Sequence, residues 1–200
     1  MLKVNKGGIL NGADIQTIEV EFPFYIFLEL DKMAQMFTLN QMDKKDIFKR
    51  IEIFKDGDGV FVTPMSEHSM RTEYEIIYIN SMIKTHKISS DYFEEEFRKV
   101  QNKINSYIMK RDKKFSKIEN LTLPLFLITK YNQFIFINDD IDKDSNYVGV
   151  MIEGESFFMI SFKFDKIKEV VLYSKFISED EFVSALIMTY DKLMDIIYNK

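Results

Sequence analysis

Cysteine is missing from this 200-residue chain, arginine occurs four times (Arg50, Arg71, Arg98, Arg111), and alanine stands only at positions 13, 34 and 185. Without cysteine there can be no disulfide, no thiolate zinc site and no cysteine nucleophile. Stability has to come from packing. Scarce arginine removes the forked side chain that reads phosphates and guanines, and a net charge of -5 with an isoelectric point near 5.2 does not suit a general nucleic-acid binder. The excess of lysine over arginine, beside many Ile, Phe, Tyr, Met and Asn, points to codon supply in an AT-rich genome of a phage or low-GC bacterium.

Long apolar runs are also absent. No segment approaches the length of a membrane span, and MLKVNKGGILNGAD at the start lacks the apolar core of a signal peptide. A cytoplasmic protein without membrane contact is the expectation. The three glycines Gly7, Gly8 and Gly12 lack the GK[ST] ending and the preceding strand of a phosphate loop. His68 and His86 stand far apart, in no ligand spacing. No repeat, low-complexity tract or Pro/Gly/Ser linker interrupts the chain.

Against these absences stands a 46% hydrophobic chain, enough at this length to bury roughly 70% of the surface exposed by the unfolded polymer. One α+β domain over residues 1–200 is expected, with a possible sub-boundary near 116–120 that would separate a strand-helix unit (1–118) from a β-meander with its helix (119–200). The segments LTLPLFLIT, QFIFIN, YVGVMIE, SFFMISFKF and EVVLYSKF read as consecutive strands. Phe158, Ile160, Phe162 and Phe164 alternate with Phe157, Met159, Ser161 and Lys163, the pattern of a half-buried strand. FIFI (134–137) and VVLY (170–173) do not alternate, which places both in mid-sheet. Short breaks at Tyr131-Asn132, Glu153-Gly154-Glu155 and Asp165-Lys166 predict an antiparallel meander.

A long middle helix and a C-terminal helix should pack on that sheet. The middle helix should begin near Ser90-Asp91, where Asp91 and Glu94 stand at capping-box spacing, and Phe93, Phe97, Val100, Ile104, Tyr107 or Ile108, and later Phe115 form a narrow stripe that could run to Lys117. Ser178 and Glu181 repeat the capping spacing before SEDEFVSALIMTYDKLMDIIYN. The apolar arc of this last helix is wider than one sheet face needs, so Val183, Ile187, Met188, Tyr190 and Met194 are candidate protein-interface residues, toward the middle helix or a second copy of the chain. In the N-terminal half, IQTIEVEF and VFVT read as strands, 40–54 as a helix with Ile47, Ile51 and Phe54 on one side, 66–73 as a polar connector and YEIIYINSMI as a strand.

Three patterns could carry chemistry. Asp142, Asp144 and Asn146 with Glu153 fall at positions one, three, five and twelve of a calcium loop, but Tyr147 replaces the required glycine and the flanks are strands. A magnesium or calcium site using Asp140, Asp142, Asp144 and Glu153 is the reading this leaves, against that of a solvated acidic loop and no cofactor. A metal-dependent nuclease or hydrolase would add Glu155 and Lys163, although Ser161-Phe162-Lys163 lacks the carboxylate such a triplet needs. Residues 32–51 have a helix-turn-helix cadence with Lys44, Lys45, Lys49 and Arg50 on its second helix, the basis for a DNA-binding reading. The leading expectation is a non-catalytic protein that binds another protein, an inhibitor, immunity or adaptor protein, with acidic patches at 94–96 and 139–144 suited to a basic partner surface. A homodimer is the second form of the same idea.

Overall fold

The computed structural model describes residues 2–6, 16–42, 45–54, 58–70, 72, 85–109, 116–118 and 120–198. The fold is α+β. Ten strands hydrogen-bond in the order β14-β10-β11-β12-β13-β6-β5-β4-β3-β7, and β1 (Leu2–Lys6) with β2 (Gln16–Val20) and β8 (Ser116–Ile118) with β9 (Leu121–Leu123) form two further two-stranded sheets. Contacts divide the chain into two compact units, Met1–Asp56 with Val62–Phe97, and Gly57–Phe61 with Arg98–Asn199.

In the first unit β3 (Phe24–Leu28), β4 (Met33–Met42) and β5 (Lys45–Phe54) form an antiparallel ladder, and β7 (Thr85–Lys87) pairs with β3. The expected helix over 40–54 is therefore a strand hairpin. Ile47 and Ile51 are four apart, which suits a helix, yet they also fall on one face of a strand with Lys49 and Ile53, and isoleucine is stiff enough at χ1 to favour the strand. Both faces are covered: Met36, Ile51 and Ile53 are buried on one side, while Ile26, Phe37, Phe48 and Met70 cluster on the other. Phe24 stacks on Phe37 at 4.6 Å within that second cluster. The polar connector at 66–73 contains a helical turn at 67–70 whose Met70 enters the core. The expected strand over 74–83 and the glycine-bearing start (7–12) lie outside the described residues.

Helix α1 (Ser90–Met109) begins at the expected place, near Ser90-Asp91, but Asp91 lies in its first turn and is not its cap. Ser89 is the cap, its Oγ accepting the Tyr92 N–H at 3.1 Å. The predicted stripe holds at Phe93, Phe97, Val100 and Ile104, all buried, and continues through Ile108 rather than the half-buried Tyr107, while Phe115 lies outside the described residues. It ends at Met109, and β8 occupies 116–118 where a longer helix would have run.

The second unit contains the meander. β10 (Leu125–Thr129), β11 (Phe134–Ile141), β12 (Tyr147–Glu153) and β13 (Ser156–Phe162) pair in sequence, all antiparallel, and β6 (Gly59–Met65) meets β13 at Val60 and Gly59. Two of the predicted turns are in place, with Asn132 and Gly154 at φ 59° and 60°. FIFI lies in mid-sheet as expected, with Ile135, Phe136 and Ile137 buried.

VVLY does not. Helix α2 (Phe164–Leu172) takes up Asp165, Lys166, Val170 and Val171, and only β14 (Ser174–Phe176) is extended. The reason is amphipathicity: Ile167, Val170 and Val171, at i, i+3 and i+4, pack on Leu125, Leu127, Ile135, Ile137 and Phe162. Burial on that face outweighs the strand preference of two valines. β14 then pairs with β10, at an edge of the ladder rather than inside it.

The opposite face carries helix α3 (Glu179–Tyr198) and the second half of α1. Phe126, Phe136 and Phe182 form one aromatic cluster, and Phe157 meets Tyr190 edge-on at 4.8 Å. Phe157, read as lying on the polar side of its strand, is thus fully buried, because helices cover both faces of β13. The cap of α3 is as predicted: Ser178 Oγ accepts the Glu181 N–H at 3.2 Å and Glu181 Oε2 accepts the Ser178 N–H at 2.8 Å. Those hydrogen bonds, from the Ser178 backbone first and its hydroxyl second, hold the Glu181 carboxyl below its ordinary range.

Candidate functional site

The acidic loop is the tip of the β11–β12 hairpin, and its carboxylates point to different tasks. Asp142 organises the turn. Its Oδ1 accepts the backbone N–H groups of Asp144 and Asn146, both at 2.9 Å, while its own N–H donates to the Asn146 carbonyl at 2.8 Å. Ser145 takes the left-handed conformation, φ 62°, that such a tight turn requires. The Asn146 N–H, then the Ser161 hydroxyl, lower the Asp142 carboxyl to about 2 from an ordinary 3.8.

A depressed carboxyl stabilises the fold above its unfolded pKa and loses that contribution as pH falls through the folded value. The hairpin tip should therefore keep its structure down to pH about 3 and open around pH 2. Amide resonances of Asp144 and Asn146, followed by NMR on acidification, should report a midpoint near 2. A midpoint at 3.8 would mean that the two N–H donors do not hold the carboxylate.

Asp144 shares the turn with Asp142, whereas Glu153 and Asp140 have hydrogen-bond partners of their own. Glu153 ends β12, roughly 20 Å of strand from Tyr147 at about 3.3 Å per residue, and accepts the Gln133 Nε2–H at 2.8 Å. Asp140 accepts from Asn138 Nδ2 at 3.1 Å, beside a half-buried Tyr107 whose hydroxyl donates to the Val148 carbonyl. Burial first, and the Asp140 charge second, raise the Tyr107 hydroxyl well above the ordinary tyrosine range. Glu155 and Lys163 flank opposite ends of β13. Among the described residues no three His, Asp or Glu side chains are grouped closely enough to hold a metal ion. The calcium-loop spacing joins Asp142 to Glu153 in the sequence alone.

The cationic set has lost the helix that was to present it. Lys45, Lys49 and Arg50 lie on strand β5, Lys49 is buried opposite Thr38, and Arg50 pairs with Glu52 at 3.3 Å. Lys44 lies outside the described residues. The strand hairpin provides no recognition helix, so the helix-turn-helix reading of 32–51 is withdrawn.

The candidate docking helix is divided. Tyr190 belongs to the interior: its ring packs on Phe157 and its hydroxyl donates to Asn105 of α1 at 3.1 Å. Burial raises that hydroxyl above the ordinary range. The surplus arc is thus taken up in part by α1, with Arg98 Nη2 donating to the Tyr198 hydroxyl at 3.2 Å farther along. Val183 and Met194 are half-buried, whereas Ile187 and Met188 remain 51% and 60% exposed.

A denser apolar surface lies where no sequence pattern pointed, at the exit of α2. Leu172, Tyr173 and Phe176 are 74%, 63% and 62% exposed. They flank β14, whose outer edge pairs with no strand among the described residues. Pairing with β10 alternates along β14, so the Ser174 and Phe176 backbone groups face away from the sheet, while the Ile177 N–H turns inward to the Phe126 carbonyl at 3.0 Å. Beside β14, between α2 and the β10–β11 turn, a cavity of about 290 Å³ is bounded by Thr129, Tyr131, Gln133, Ile135, Met151, Val170, Tyr173, Ser174 and the Lys166–Glu169 ion pair. The one signal that could have found this surface is LYSKF itself, three large apolar residues in five with no buried periodicity.

Comparison with protein-family models, with curated proteins and with solved structures finds no match to this chain. Among the described residues, no helix is long and apolar enough to cross a membrane.

Proposed function

We propose that this chain is a non-catalytic cytoplasmic protein that works by binding another protein, as an inhibitor, immunity or adaptor protein does, and that the partner docks along β14. The observation carrying this reading is the exposure of Leu172, Tyr173 and Phe176 around an unpaired sheet edge. Two features make an extended segment of the partner the best occupant. Outward backbone groups at Ser174 and Phe176 supply hydrogen bonds to an added strand, and the apolar side chains supply the area that makes such bonds worth forming. Asp139, Asp140 and Asp144, exposed at the β11–β12 tip, favour a partner carrying basic groups.

The test uses a photo-crosslinking residue at position 176 in the source cells, beside the same protein carrying Leu172→Asp and Tyr173→Asp. A single stoichiometric adduct that disappears in the acidic variant, with the melting temperature of the free protein unchanged, is the expected result. An adduct that survives both substitutions removes β14 as the docking edge. If the chain crosslinks only to itself, the surface is a homodimer interface and the inhibitor or adaptor reading falls.

A further inference from the structure

Between the outward backbone groups of Ser174 and Phe176 stands Lys175, exposed and without a hydrogen bond, ion pair or ring contact among the described residues. Three other lysines of the second unit have partners. Lys130 lies over the Tyr131 ring at 5.0 Å, Lys166 pairs with Glu169 at 2.7 Å, and Lys168 lies over the Phe164 ring at 4.4 Å. Lys175 shares its face of the sheet with Ile128, its neighbour on β10, whereas Ser174 and Phe176 lie on the opposite face with Thr129 and Leu127.

An antiparallel strand added to this edge sets one residue opposite each residue of β14. Those opposite Ser174 and Phe176 exchange backbone hydrogen bonds with them, and the one opposite Lys175 falls in the pair without hydrogen bonds, where facing side chains come closest. A second copy of the chain, exchanging the same hydrogen bonds through its own β14, would set its Lys175 against that of the first. Like charges directly opposite disfavour pairing, which is why exposed sheet edges often carry lysine. The same ammonium favours a strand with a carboxylate at that position.

On the reading that β14 is the docking edge, we propose that the partner segment is an extended strand with aspartate or glutamate opposite Lys175 and an apolar residue on either side of it. The flanking side chains share the face of Phe176, whose ring is largely exposed. This carboxylate is separate from the basic groups that the acidic β11–β12 tip favours elsewhere on the partner.

The probes are three blocked peptides, Ser-Thr-Ile-X-Ile-Thr-Ser with X glutamate, glutamine or lysine, palindromic so that side-chain order is the same in either direction. Titration into the isotope-labelled full chain, followed by NMR at the Ser174 and Phe176 amides, should show saturable binding in the millimolar range or tighter. The glutamine peptide should bind about threefold more weakly than the glutamate peptide, and the lysine peptide weaker again by a similar factor. A net charge of -5 on the chain favours the lysine peptide, so the opposite order reports the local pair. Lys175→Glu should reverse the order without changing the melting temperature, because the side chain is exposed, and salt at about 1 M should shrink the differences. Equal affinity of the three peptides, with the shifts still centred on Ser174 and Phe176, overturns the carboxylate preference and leaves β14 standing as a docking edge. Shifts centred elsewhere, or no saturable binding by any peptide, overturn the preference together with the edge it rests on.

Discussion

Phe136→Ala is expected to destabilise the second unit by about 3–5 kcal/mol. Phe136 has no exposed surface, and its ring stacks on Phe126 at 5.0 Å while meeting Phe182 at 5.9 Å and Tyr107 at 6.0 Å. It therefore touches a neighbouring strand and both helices of that face. Truncation opens a cavity among elements that are held by one another, and β11, in mid-sheet, cannot collapse into the gap without dragging β10 and β12 with it. The melting transition should fall by roughly 10 °C or more. Phe176→Ala is the control, because its ring is largely exposed and its loss should change stability by no more than about 0.5 kcal/mol. Equal melting temperatures for the two variants would show that α1 and α3 do not close over this face.

Gly149→Ala should be comparably harmful although it adds one carbon. Gly149 stands opposite Ile137 at the start of the irregular stretch of β11, and a Cβ there would overlap the Phe136 carbonyl oxygen and lie 3.2 Å from Phe162 Cε2. The oxygen belongs to the backbone of a mid-sheet strand, so relief requires the β11–β12 ladder to part. Overpacking of this kind costs about 1–3 kcal/mol and more where the obstacle is main chain. Gly154→Ala isolates the steric effect. Gly154 sits at φ 60° with nothing within 4 Å of an added Cβ, so its replacement carries only the backbone strain of an L residue in that region, roughly 1 kcal/mol. Chemical denaturation of both variants should place Gly149→Ala well below Gly154→Ala. The reverse order would mean that β11 and β12 are not as close at this point as the register requires.

Much of the chain from Phe93 onward was legible because its signals are local. Asn132 and Gly154 provide turn conformations that few other residues accept, Ser178 and Glu181 lie within one helical turn of each other, and the α1 stripe repeats at helical spacing from Phe93 to Ile108. Where two periods fit the same residues, the reading failed. Ile47 and Ile51 satisfy a helix and a strand alike, and Val170 and Val171 favour extension until Ile167 is seen to share their face. The calcium-loop spacing is a different case, since residue spacing says nothing about which way a seven-residue strand carries Glu153.

From its sequence alone this protein was determined to be an α+β chain without cysteine chemistry, with an antiparallel meander, read as running from Leu121 to Phe176, and a capped C-terminal helix, because periodicity and turn residues act over a few positions. Only the tertiary structure decided that Tyr190 is core, that β14 is an edge, and that Ser174 lines a cavity. Each of those facts depends on what another part of the chain, 40 or more residues away, places against it. Burial is a property of neighbours in space, and hydrophobic patterning names a face without saying what will cover it.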